Sequence, residues 1–147
     1  MSRPIVVIPD PVLAALQYLR GVAALTALVP AASIVTEIPS SPAYPYLVVN
    51  VVPSNGGIYP SIEEAVLQLD ALDTDHGGGS PTSGKVTANA IARTARAAMW
   101  AIANDSTASG AVLCSSREEI GPQWLPDTVP TPHIACFTQR QAVILHG

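Results

Sequence analysis

The chain has 147 residues, 48% of them hydrophobic and 12% charged, which is about half the ~25% charged content of ordinary soluble domains. With 7 Lys and Arg against 11 Asp and Glu, the net charge is −4, which disfavours both intrinsic disorder and conventional nucleic-acid binding, since the first needs low hydrophobicity and the second clustered cations. The length suits one domain over residues 1–147, and a surface so poor in charge points to coverage by a partner.

Ile5 to Ile8 is a short apolar run stopped by Pro9, so residues 1–9 read as a small strand or an arm that docks on a neighbour. Asp10 before Pro11 is a helix start, with Asp as N-cap and Pro at the first helical position. The first helix is predicted from Pro11 to about Leu28, ending before Pro30. Val12, Leu16, Leu19, Ala23 and Ala27 form one stripe on it, facing a core. The stretch from Val12 to Ala32 is apolar, but Gln17, Arg20 and Gly21 interrupt it, so no export signal or membrane span is expected.

Ser33 to Ile38 is β-branched and reads as a strand closed by Pro39, followed by a proline-punctuated loop from Ser40 to Pro45. Tyr46 to Val52 is the clearest strand, nearly continuous in β-formers and so expected at the sheet centre. Pro53 to Ser61 is turn-rich, with Asn55-Gly56-Gly57 tolerating positive φ. From Ala65 to Asp73 the chain alternates, setting Val66, Gln68, Asp70 and Leu72 against Leu67, Leu69 and Ala71, as in a strand with one wetter face. His76 to Gly84 reads as a flexible connector.

Lys85 to Asn104 is the second predicted helix, with Thr87 as a possible cap. Ile91, Ala95, Ala98 and Ile102 share a face, Met99 lies beside them, Arg93 and Arg96 point to solvent, and Trp100 is expected in the core. Ala111 to Ile120 begins as a buried strand and turns charged. Gly121 to Pro132 is a proline-rich loop holding Trp124, and His133 to Leu145 is the last strand. This order predicts an α+β fold: two helices packed on one face of a mixed, mostly antiparallel sheet of about four to five strands.

Chemistry is thin. Asp70, Asp73, Asp75 and His76 precede a glycine run, and carboxylates with imidazole are metal-binding types. The spacing of a calcium loop is missing, however, and Asp70 and Asp73 would face opposite sides of a strand. A solvated strand end is the expectation. Cys114, His133 and Asp127 lack any nucleophile motif, and Gly77 to Ser80 lacks phosphate-loop spacing. Cys114 and Cys136 form no CxxC pair and read as reduced, structural thiols. Glu63-Glu64 and Glu118-Glu119 read as solvated charge. No catalytic residue, cofactor or metal is expected. Trp124 is the aromatic best suited to anchor an interface.

Three features of the chain resemble the tail terminator, or tail-completion, proteins of long-tailed bacteriophages. The first is an apolar helix end, Ala24-Leu25-Thr26-Ala27-Leu28-Val29, followed by a short strand from Ile34 to Glu37. The second is a proline loop leading into the Tyr44 to Val49 strand. The third is the Val66 to Leu72 strand, succeeded by a long alanine- and arginine-bearing helix and two closing strands. The resemblance runs from about Pro11 onward. It implies a non-enzymatic virion protein, a hexameric ring that caps the head-proximal end of the tail tube and stops its growth. Its partners would be other copies of itself, the tail tube protein and a neck or head-completion protein. Genome DNA would cross the lumen without specific binding, and no membrane would be involved. The protein would reside in the virion tail or neck, and in host cytoplasm during assembly. Ile5, Val7, Asn55, Tyr59, Gly78 and Trp124 are the interface candidates. Alternatives are another head–tail connector or head-completion protein, or a small cytosolic α+β enzyme or metal-binding domain using Asp70, Asp73 and His76.

Overall fold

The computed structural model describes residues 10–53, 57–59, 62–74, 81–102, 112–125 and 134–146. The first helix starts as the sequence dictates: the Asp10 carboxylate accepts from the Val12 backbone N–H at 2.9 Å, and Pro11 opens α1, Pro11–Arg20. It stops well short of Leu28. Gly21 lowers helix propensity by about 1 kcal/mol relative to alanine, and Val22 adopts extended backbone before a second short helix, α2, Ala23–Thr26. The interruption resets the helical phase. Leu16 and Leu19 are buried as expected, but Ala23 and Ala27 face solvent while Leu25 and Val29 turn inward.

A 3-10 turn, Ala31–Ser33, then takes up Ser33 and leaves only Ile34–Val35 as β1. The predicted Ser33 to Ile38 strand is therefore two residues long, with Thr36 and Glu37 exposed. The Arg20 guanidinium donates to the Ile34 carbonyl from Nε at 3.1 Å and from Nη2 at 2.7 Å, tying the end of α1 to this short strand.

The remaining strands are β2 (Tyr46–Val52), β3 (Gly57–Tyr59), β4 (Ile62–Thr74), β5 (Val112–Leu125) and β6 (Ile134–His146). They form one six-stranded sheet of order β1-β2-β4-β6-β5, with β3 paired to β4. Only β1 and β2 run parallel, with Ile34 opposite Leu47; every other pair is antiparallel. The mixed, mostly antiparallel α+β class matches the sequence reading; the strand count exceeds it because of β3, which falls in the Pro53 to Ser61 segment read as turn-rich. The centre is β4 rather than β2, since β4 pairs along its whole length with β6 and along Val66 to Leu72 with β2.

Alternation along β4 is as read: Ala65, Leu67, Leu69 and Ala71 are buried, while Val66, Gln68, Asp70 and Leu72 are half-exposed. The buried set joins Leu16 and Leu19 of α1, Leu25 of α2, and Ala88, Ile91, Ala92, Ala95 and Met99 of the long helix α3 (Pro81–Trp100) in one core cluster. Tyr18 donates its hydroxyl to the Ala98 carbonyl at 2.6 Å, joining α1 to α3.

That helix, α3, spans Pro81–Trp100 and so begins before the predicted Lys85, with Thr87 inside it rather than capping it. Gly84 makes the early start sterically tolerable. A Cβ there would meet the Thr74 backbone carbon at 2.8 Å and its oxygen at 2.9 Å, so the first turn of α3 rests directly on the end of β4. At the other margin, β5 continues through Gly121 and Pro122 to Leu125, and Trp124 is a strand residue opposite Phe137, not a loop residue. Register shifts between Glu118 and Ile120 and between Ile120 and Gln123 accommodate the proline, as edge strands and bulges allow. Among the described residues no helix is long and apolar enough to cross a membrane.

Candidate interaction surface

The residues proposed for metal chemistry are kept apart. Asp73 is fully buried on the core side of β4, its Oδ1 accepting from the Thr74 backbone N–H at 2.8 Å. Asp70 lies on the opposite side of the strand, where Gln68 Nε2 donates to both its oxygens at 3.2–3.3 Å. Asp75 and His76 lie outside the described residues, and among those described no group of three metal-ligating side chains occurs. Cys136 is a free thiol beside Asp70; burial first, and the Asp70 carboxylate second, push it up to about 12. A thiol so raised stays protonated and unreactive at neutral pH. His133, Asp127 and the Cys114 side chain fall outside the described residues.

Three glutamates expected as solvated charge, Glu64, Glu118 and Glu119, are instead engaged. Glu118 receives the Arg96 guanidinium as a fork, with Nε at 2.7 Å from Oε1 and Nη2 at 2.9 Å from Oε2, both side chains half-buried. Arg117 donates to Glu64 at 2.7 Å and to Glu119 at 2.6 Å. The cause is register: Glu118 sits on the core side of β5, where α3 passes, so Arg96 reaches it instead of water.

Of the interface candidates, Ile5, Val7, Asn55 and Gly78 lie outside the described residues, and Tyr59 is described only as a backbone position of β3. Trp124 is described. It is 48% exposed near the end of β5, with Lys85 Nζ 3.6 Å above its ring centroid. Trp100 corrects the sequence reading: it is 51% exposed, with the Arg96 guanidinium carbon 4.3 Å from its ring. Val86, Arg93, Ala97 and Trp100 share the solvent side of α3, while Met99 takes the inward position beside it. The seven-residue spacing from Val86 through Arg93 to Trp100 was the available signal, outweighed by the usual burial of helical tryptophan.

These contacts give the α3–β5 margin a definite character. Two exposed indoles, each under a cation, lie along a helix that carries Lys85, Arg93 and Arg96 and no acid. Nearby, on the side of the sheet away from the core, Gln68, Ile120, Gln123, Leu125, Thr138 and Arg140 line a shallow groove of amide, hydroxyl and apolar groups. Neither surface sets a nucleophile beside a base. Both suit contact with another macromolecule, where Trp and Arg are enriched.

Comparison with known proteins follows the same direction. The family model described as "Tail completion protein gp17" matches residues 14–117. A chain from a structure titled "Virion of native gene transfer agent (GTA) particle" is similar in fold, with a TM-score of 0.54 and 21% identity over 93% of this chain and 95% of that chain. No curated protein sequence matches.

Proposed function

Because the chain belongs to the tail completion protein gp17 family, we propose that it forms a ring, six-fold in keeping with the resemblance, on the head-proximal end of a phage tail tube. There it halts addition of tube subunits and offers its other side to a neck or head-completion protein. The family match carries this reading. The geometry supports it through what it supplies, an α+β body that exposes aromatic and cationic contact groups along α3 and β5. A single domain of residues 1–147, with residues 1–9 as a docking arm, fits the role. Ring contacts of this kind are heterologous and closed, and the acidic balance keeps a lumen from holding DNA.

Size exclusion with light scattering, run with and without purified tail tube protein, tests the proposal. The expected result is a closed ring, or a monomer that becomes one on tube ends and fixes their length. A monomer that leaves tube growth unchanged would overturn it.

A further inference from the structure

The charges of this chain are unevenly placed. Three of its seven cations, Lys85, Arg93 and Arg96, lie on α3, a helix without a single Asp or Glu. Arg96 is answered by Glu118 from β5, while Arg93 is exposed and, among the described residues, bonds within its own helix, its Nε to Asn89 Oδ1 at 3.3 Å. Val86, 65% exposed, and Trp100 flank it on the same stripe. The opposite margin of the molecule is formed by α1 against β1 and β2, whereas α3 packs on β4, β6 and β5. In the order β1-β2-β4-β6-β5 the two margins lie at opposite edges of the sheet. On the α1–β1 side Asp10 and Glu37 are exposed, and the guanidinium of Arg20 is held on the Ile34 carbonyl.

From this arrangement we infer that the outer side of α3, centred on Arg93 and Trp100, docks on the Glu37-bearing margin of a second copy of the chain. The inference rests on the ring reading above and specifies its contact. Unlike margins attract, and a contact between them repeats head to tail, as a ring requires. A two-fold contact through α3 alone would set Arg93 against Arg93 and repel. Duplex DNA is a poorer occupant, because Glu118 already neutralises Arg96, leaving two cations on α3 in a chain of net charge −4. Exposed tryptophan, valine and arginine together have the composition of a protein contact.

The test is a charge exchange in the full-length chain. Arg93→Glu and Glu37→Arg are made singly and together, and assembly mass is followed on dilution with tail tube protein present. Each single variant is expected to raise the concentration needed for assembly by about tenfold or more, with unchanged circular dichroism and melting. The double variant is expected to recover assembly. Wild-type-like assembly of the single variants, or a double variant that does not recover, would overturn this contact while leaving the ring intact. A wild-type chain that stays monomeric beside growing tubes would overturn the ring and the contact together. Quenching of Trp100 emission by a short DNA duplex in a Trp124→Phe chain, without change of mass, would reassign the surface to nucleic acid.

Discussion

Cys136 shows how much one neighbour and partial burial change a side chain. Its thiol is raised from 9.0 to about 12, by burial and then by Asp70. The folded state therefore favours the protonated form. Its contribution to stability is complete below pH 9.0 and is lost as pH rises from there toward 12, so chemical denaturation midpoints should fall across that alkaline window and not in mild acid. In a Cys114→Ser chain, alkylation of Cys136 at pH 8 should be roughly a thousandfold slower folded than unfolded; equal rates would contradict the burial. A second residue-scale test concerns the buried amides. Gln139 donates to the Ala92 carbonyl of α3 at 2.8 Å and accepts from Gln141 at 3.1 Å. Gln139→Leu strands the Gln141 amide and should cost about 1–3 kcal/mol, whereas replacing both by Leu should cost less than the sum of the single changes, because no amide is left unpaired. Additive losses in urea titrations would show that the two amides do not act as a unit.

The secondary elements divide into those legible in the sequence and those set by packing. Strands β2, β4 and β6 were legible because alternation and β-branching reflect a sheet buried on one side, and the Asp10-Pro11 start of α1 because capping is local chemistry. The misread boundaries have two causes. At Pro81 and at Pro122 the chain behaves as its tertiary surroundings require, starting a helix early and carrying an edge strand past a proline, whereas at Gly21 the break follows from glycine's own low helix propensity. Two glycines make the distinction measurable. Gly84→Ala would drive a Cβ into the Thr74 backbone at 2.8 Å and should destabilise by about 1–3 kcal/mol. Gly21→Ala meets the Tyr18 oxygen at 3.4 Å and the Gln17 oxygen at 3.8 Å, both ordinary contacts, with φ at −91°, and should be neutral or stabilising by about 0.4–1 kcal/mol. Thermal melts of the two variants should therefore move in opposite directions or differ clearly in size.

At the scale of the whole molecule, the sequence made the absence of a reaction centre an expectation and named Trp124, but it concealed the surface Trp124 belongs to. The pairing of β5 with β6 and the passage of α3 over the sheet set Trp124 under Lys85 near the start of α3, while Trp100 lies beside Arg96 at its end, and no local pattern encodes the contact of Trp124 with Lys85. An assembly held by the α3–β5 margin should weaken as salt rises, since Arg93 faces solvent until a partner covers it. The pairing of β4 with β6 has a consequence in time. All of α3 and β5 lie between these two strands in the chain, so during synthesis the middle strand of the sheet is made long before the segment that completes its ladder. Closing so wide a loop slows folding, and until it closes, one edge of β4 is open to other nascent chains. Expression yield should then depend on translation speed and temperature more than the finished protein's melting point does, and weakening β6 should cost soluble protein before it costs stability.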